Sequence, residues 1–371
     1  MRMRVLGFMT GTSLDAVDMA VLETDGETIQ AFGPAGERKL SDQARDLLLE
    51  ATAAALAWPR GAAQPAIFGH AADAVAREHL SAAEGFLASN GLSWADIELI
   101  GFHGQTVLHE RPIEGIPGRT VQLGDAGWLA RQAGTPVAFD FRSADVAAGG
   151  QGAPLTPIYH LARLRASGLA PPVAVLNIGG VANVTHWLDT DRFLAFDTGP
   201  GNGMIDLLVQ ARTDRRFDEG GSFARTGHVD ADVLQSLLAH PYFRAPPPKS
   251  LDRHDFPLSV VGNLSLEDAA ATLVAFMAEA VRVAFEGFET APREVLVAGG
   301  GRHNPEIMRA LAVRLPMPVR ACEHHGWRGD AIEAEAFAFL AARTLRGLPI
   351  TFPTTTGVDK PLTGGRIVRP L

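Results

Sequence analysis

The sequence predicts an α/β protein of two domains. Short apolar runs alternate with amphipathic stretches of helical period along the chain. Several of those runs end on Gly, Thr, His or Asp, the polar strand ends that open α/β sheets present to ligands. A length of 371 residues exceeds what one hydrophobic core usually organises.

Composition narrows the class. With 46% apolar and 20% charged residues the chain is ordinary for a globular protein. A net charge near -9, with no Lys/Arg run, argues against a broad nucleic-acid footprint. Cys322 is the only cysteine, which excludes intramolecular disulfides and fits a reducing compartment. The apolar start Val5–Met9 stops at Thr10, too short for a signal-peptide core. The most apolar long segment, Ala269–Phe288, carries Glu279, Arg282 and Glu286 and does not suit a membrane span. A cytoplasmic protein with no nucleic-acid or membrane partner is expected.

Taken in order, Val5–Met9 and Val17–Glu23 read as strands joined by the polar turn Thr10-Gly11-Thr12-Ser13-Leu14-Asp15. That turn offers amides and hydroxyls to an anion, or is an ordinary hairpin turn. Amphipathic helices follow over Asp42–Leu56 and Ala66–Asn90. A strand over Ile97–Phe102 ends in His103-Gly104-Gln105-Thr106, where His103 is either structural or a ligand contact. Thr120–Leu123 is a strand and Asp125 caps the next helix. Pro136–Phe139 is a strand delivering Asp140 and Arg142 to one face, as an internal salt bridge or a clamp on a polar substrate. The Gly-rich crossing Gly149–Pro154 is the candidate hinge, and the expected domains are 1–140 plus about 349–371, and 141–348.

The second half repeats the layout of strand, glycine turn and strand in Val173–Gly180 and Val181–His186. Two such halves facing across a cleft would set residues 11–13 opposite 197–202. The strand Phe193–Asp197 ends on a carboxylate, followed by Thr198-Gly199-Pro200-Gly201-Asn202 and a helix over Met204–Gln210. Amides without side-chain cover and a helix N-terminus make that turn a candidate phosphate cradle. Asp197 beside it is a candidate base, N-cap or ligand of an Mg²⁺-bound water. Helices are expected over Asp230–Ala239 and Leu266–Phe288, and a buried strand over Glu294–Ala298. Gly299-Gly300-Gly301 then lets a flat group approach the backbone, and Asn304-Pro305 opens a helix to Arg314. Met317–Arg320 is an edge strand, Ala331–Arg346 a helix carrying Glu333, and the rest an extended tail.

Familiar catalytic patterns are missing from the sequence. It has no His-Glu-x-x-His, no Gly-x-Ser-x-Gly elbow, no Walker A lysine and no dinucleotide fingerprint. A kinase would need another phosphate-binding architecture.

Such an architecture is suggested by motifs in combination. Met9–Asp15 resembles the first phosphate hairpin of the actin and sugar-kinase superfamily, Phe196–Gly199 its second phosphate motif and Ala298–Gly301 its adenosine motif. More narrowly, the chain resembles the anhydro-N-acetylmuramic acid kinase family. The matches are collinear over nearly the full length: 101–106, 122–125, 140–142, 149–155, 177–183, 196–202, 299–304 and 333–338. Two departures stand out. Thr10 and Ala16 occupy positions usually Ser and Gly, and Leu251-Asp252-Arg253-His254 replaces a usual Thr-Gly-Arg-Glu.

The resemblance implies a two-domain actin/hexokinase-like (ribonuclease H-like) fold with a central cleft. It implies an ATP-dependent kinase of peptidoglycan recycling that opens 1,6-anhydro-N-acetylmuramic acid with water and phosphorylates O6. Asp197 would be the base. Gly11, Thr12, Ser13, Leu14, Asp15, Ala16, Val17 and Asp18, with Gly199 and Gly300, would form the nucleotide site. Gln105, Thr106, Asp140, Arg142 and Glu333 would contact the sugar. Mg²⁺ would travel with ATP rather than in a protein-built metal site, and the enzyme would be a homodimer. The rival reading is a non-catalytic sugar or nucleotide sensor, which would not need Asp197 or Glu333.

Overall fold

The computed structural model describes residues 2–11, 13–113, 115–190, 192–251 and 255–370. From the N-terminus its elements are β1 (Met3–Met9), β2 (Ala16–Thr24), β3 (Ile29–Lys39), α1 (Asp42–Leu56), α2 (Ile67–Ser89), β4 (Leu99–Phe102), β5 (Gln105–Glu110), β6 (Arg119–Leu123), α3 (Ala126–Ala133), β7 (Val137–Phe139), α4 (Ser143–Ala147) and α5 (Pro157–Ala166). Next come β8 (Val173–Ile178), β9 (Val181–Trp187), β10 (Phe193–Pro200), α6 (Gly203–Arg212), α7 (Ser222–Thr226), α8 (Ala231–Leu238), α9 (Leu266–Glu286), β11 (Val295–Ala298), α10 (Pro305–Arg314) and β12 (Val319–Ala321). The chain closes with α11 (Ile332–Leu345), α12 (Pro353–Thr356) and β13 (Arg366–Val368).

The chain forms two compact units, Met1–Ala166 with Ala331–Leu371, and Ser167–Asp330. The first is built on the sheet β13-β7-β4-β1-β2-β3, the second on β10-β9-β8-β11-β12. The run β3-β2-β1-β4-β7 has two antiparallel pairings followed by two parallel ones. The run β10-β9-β8-β11-β12 has the same order of senses. The α/β class expected from the sequence is therefore the class observed, and the two units share one strand scheme.

In the first unit, α11 lies on the sheet along a glycine seam. Gly7 of β1 and Gly101 of β4 are paired across the parallel ladder. A Cβ on Gly7 would overlap the Ala334 carbonyl, and one on Gly101 the Phe337 carbonyl. Only glycine allows the helix backbone to come this close. The seam thus fixes the height of α11, and with it Glu333 in the first turn.

The domain division differs from the sequence expectation. α11 packs on β1, β2 and β4 of the first sheet, and β13 pairs with β7. α5 also stays with the first unit, through the Tyr159 hydroxyl on the Glu335 carboxylate and Arg163 stacked 4.1 Å from the Phe32 ring. The Gly149–Pro154 crossing, read as a hinge, instead lies inside this unit and is pinned there. The buried Asp145 carboxylate accepts from the Gly152 amide at 2.7 Å and the Thr356 hydroxyl at 2.6 Å, while the Gln151 amide donates to the Thr356 carbonyl at 2.7 Å. The tail read as extended supplies α12, whose Thr356 makes this anchorage, and β13, which pairs with β7.

β3 was not anticipated, since its sequence holds two glycines and a proline. It pairs with β2 as the sheet edge, with a register shift at the Gly33-Pro34 step, where strand proline is tolerated.

Candidate functional site

Strand ends carry most of the candidate residues, and each unit builds its own group. In the first unit, β1 ends at the hairpin turn. Thr10 is buried, and its hydroxyl meets His79 Nε2 at 2.9 Å while His79 Nδ1 lies 2.7 Å from the Val75 carbonyl. Nδ1 donates to that carbonyl, so Nε2 accepts the Thr10 proton. One of the three hydroxyls expected at an anion is thus engaged in the core. Burial holds the His79 imidazole neutral, with its pKa lowered to about 4.

The nucleotide span is only partly presented to solvent. Ser13 and Asp15 are exposed and Gly11 is half-buried. Leu14 adopts φ 56° and packs its side chain into the core, as does Val17. Ala16 and Asp18 sit half-buried in β2, with Asp18 paired to Met9. Thr12 lies outside the described residues.

Among the expected sugar contacts, Arg142 is held by His103 and the Gly152 loop. Its Nη1 donates to the Gly152 carbonyl at 2.7 Å, while Nε and Nη2 lie 3.2 and 3.1 Å from His103 Nε2. His103 Nδ1 is 2.7 Å from the Gly104 carbonyl, so this nitrogen carries the proton and Nε2 accepts. Burial first, and the Arg142 charge second, push the His103 pKa well below the usual histidine range. Gly104 has φ 71°, and a Cβ there would sit 2.6 Å from the Leu123 carbonyl. Glycine is required at this corner.

Gln105 and Thr106, read as the polar end of the preceding strand, open strand β5 instead. Gln105 Nε2 donates to the Gly11 carbonyl at 3.3 Å, tying the start of β5 to the hairpin turn, and its buried Oε1 has no hydrogen-bond partner. The Thr106 hydroxyl accepts from Gln122 at 3.3 Å.

Asp140 and Arg142 do not share a strand face, which corrects the sequence reading. β7 stops at Phe139, Asp140 turns the chain at φ 55°, and Arg142 precedes α4. Asp140 pairs with Arg366 at 3.8 Å. Glu333 is half-buried, and burial raises its pKa above the usual carboxylate range, partly offset by the Arg142 charge.

In the second unit, Asp197 lies in β10 at a bulge between Asp197 and Gly199. Its Oδ2 accepts from the Leu251 amide at 2.8 Å and its own amide donates to the Lys249 carbonyl at 3.0 Å. The Tyr242 hydroxyl donates to its carbonyl. Lys249 in turn donates to the Tyr242 carbonyl at 2.9 Å, and its ammonium sits 4.5 Å from the Tyr242 ring. Burial lowers the Lys249 pKa. Tyr242 and Lys249 were not singled out in the sequence. They reach Asp197 from the distant 241–250 segment, and no local pattern marks them. Of the divergent Leu251–His254 stretch, residues 252–254 lie outside the described residues.

The turn after Asp197 is not the open cradle that its glycines suggest. The amides of Gly201, Asn202 and Gly203 donate to the Gly180 and Gly179 carbonyls at 3.0, 2.9 and 3.3 Å. A Cβ on Gly201 would overlap the Gly179 oxygen, and one on Gly199 would stand 2.8 Å from Ala280 of α9. These glycines permit close backbone packing. In the triple glycine, Gly299 and Gly301 press against Ile178 of β8, whereas Gly300 is exposed with nothing within 4 Å of a Cβ. Gly300 is thus the one of the three with room for a ligand.

Among the described residues, no group of three or more His, Cys, Asp or Glu side chains could hold a metal ion, and no helix is long and apolar enough to cross a membrane.

The family model described as "Anhydro-N-acetylmuramic acid kinase" matches residues 3–370. A protein of that name from Phenylobacterium zucineum is 71% identical over 368 residues, covering 99% of this chain and 100% of the relative. Its namesake from Caulobacter vibrioides is 67% identical over 366 residues, covering 99% of each. Another, from Methylobacterium nodulans, is 50% identical over 378 aligned positions, covering 99% of this chain and 100% of the relative.

Proposed function

The chain belongs to the anhydro-N-acetylmuramic acid kinase family, a family of phosphotransferases, and we propose that Asp197 activates the water that opens its sugar substrate. Water adds to the anomeric carbon of 1,6-anhydro-N-acetylmuramic acid as the C1–O6 bond breaks. The released O6 attacks the γ-phosphorus of ATP, and ADP leaves. The products are N-acetylmuramic acid 6-phosphate and ADP, and the proton taken from water passes through the Asp197 carboxylate.

The observation that carries this reading is the way Asp197 is held. A general base must keep one orientation toward its proton. The Leu251 amide anchors one carboxylate oxygen, while main-chain contacts on both sides of the residue fix its backbone.

The other roles divide by chemistry. Gly11 and Ser13, with Thr12 and the rest of 11–18, hold nucleotide phosphates; Gly199 supports the turn and Gly300 faces the adenosine. Arg142 suits the lactyl carboxylate of the sugar, and Gln105, Thr106, Asp140 and Glu333 suit its hydroxyl and amide groups. Mg²⁺ would be carried by the ATP phosphates and water, since among the described residues no group of three or more carboxylate, histidine or cysteine side chains could cage it. Bound to the nucleotide, the ion would neutralise charge on the phosphates. In this reading the enzyme works as a cytoplasmic homodimer on sugars released from peptidoglycan.

Turnover in ¹⁸O-water tests the sequence of steps. The label is expected on the C1 hydroxyl and not in the phosphate; label in the phosphate overturns the reading. Asp197→Asn should keep ATP and sugar binding while kcat falls by about 10²–10⁴. An unchanged kcat removes Asp197 from the role.

A further inference from the structure

We propose that His103 is a positioning residue that sets the plane of the Arg142 guanidinium and so aims it at an anionic group of the substrate. The inference rests on the proposed sugar kinase activity, in which Arg142 meets the sugar. It starts from the acceptors that Arg142 uses. Three of its five N–H directions go to the neutral Gly152 carbonyl and the His103 Nε2 lone pair. A carboxylate in place of His103 would orient the guanidinium equally well but would neutralise it. A neutral imidazole fixes the plane without adding a counter-charge at that position.

The geometry of His103 is itself fixed on three sides. Its Nδ1–H is committed to the Gly104 carbonyl, which sets the tautomer and turns the Nε2 lone pair toward Arg142. Its ring packs 4.5 Å from the ring of Phe337. Phe337 lies one helical turn after Glu333 on the same face of α11. The Gly104 corner closes the remaining side, since its left-handed backbone excludes any side chain. His103 therefore links the β4–β5 turn, the pinned Gly149–Gly152 loop and the helix of Glu333 to a single guanidinium.

His103→Met removes the acceptor while filling its volume, and His103→Gln places an amide oxygen near the Nε2 position. The Met variant should raise the KM for 1,6-anhydro-N-acetylmuramic acid by about 10-fold to 100-fold, the loss expected for hydrogen bonds to a charged group. Its KM for ATP should stay within about twofold, and the Gln variant should recover most of the sugar affinity. In an Arg142→Ala background the Met substitution should add nothing further. A full additive effect there, or equal shifts in both KM values, overturns the assignment. The state of His103 can also be read without turnover. In ¹⁵N-histidine spectra of the full-length protein, His103 should show the Nδ1–H tautomer, with an Nε2 resonance that moves on Arg142→Ala. An unmoved Nε2 resonance overturns the inference even if the wild-type enzyme does not turn over the anhydro-sugar, an outcome that would fall on the proposed function alone.

Discussion

The two units hold their chemical groups by different means. In the second, Asp197 is fixed by main-chain amides and carbonyls and by a turn whose glycines press backbone on backbone. In the first, Arg142 is fixed by an imidazole and by a loop that the Asp145 carboxylate pins. A site made from backbone contact is vulnerable to any added Cβ. A site made from side chains is vulnerable to changes of charge and acceptor. The contrast divides the substitutions that disturb the fold from those that disturb binding.

Two glycines put the largest difference to the test. Gly201→Ala places a methyl group on the Gly179 oxygen, where both partners are backbone and neither can rotate away. It should destabilise the protein by about 3 kcal/mol or more, at the upper end of overpacking effects. Gly300→Ala meets nothing within 4 Å, lies outside the left-handed region, and should stay within about 0.5 kcal/mol of wild type. Its effect should appear in the KM for ATP. Urea denaturation of both variants decides the matter, and equal midpoints would remove the distinction between packing and ligand-facing glycines.

Arg142→Ala belongs to the other side of the comparison. The guanidinium is half-buried; its loss leaves His103 and Gly152 without this donor and removes the charge that partly offsets the burial of Glu333. Stability should fall by about 1–2 kcal/mol, less than for Gly201→Ala. The KM for the anhydro-sugar should rise by about 10-fold to 100-fold, as for a lost charge-assisted pair, with the KM for ATP unchanged. A comparable rise for ATP would make Arg142 a general support of the unit.

The same contrast explains what the sequence revealed. Asp125 and Asn304 were legible because caps are local patterns, and both do accept from the amides two or three residues on. Asp197 was read as the end of a strand that in fact continues to Pro200, because the bulge after it breaks the apolar run without ending the ladder. Asp140 and Arg142 were recognised by type but misplaced by two-residue periodicity, because a left-handed residue ends the strand between them. The Gly149–Pro154 crossing looked flexible because Asp145 and Thr356, which pin it, are 211 residues apart. Tyr242 and Lys249 were invisible for the same reason, since a contact of long sequence separation leaves no period. The glycine turns misled in an instructive way: glycine allows a ligand or another backbone to approach, and only the fold shows which one does.

Glu333 gives the smallest expected effect, and the most direct sign test. Burial raises its pKa, so the folded state binds the carboxyl proton more readily than the unfolded chain. Between the unfolded and folded pKa values the native state holds more protons, and stability falls as pH rises through that window. Above it the ionised Glu333 is a net liability to the fold, retained on the present reading for its contact with the sugar. Glu333→Gln should therefore melt slightly higher than wild type at pH 7 while losing sugar affinity. At pH 4 the side chain is largely protonated in both states of the wild type, and the difference in Tm should shrink toward zero. A Gln variant less stable than wild type at pH 7 would mean that Arg142 and its surroundings stabilise the charge by more than burial opposes it. Glu333 would then be a structural partner of that cluster, rather than a strained group held ready for a ligand.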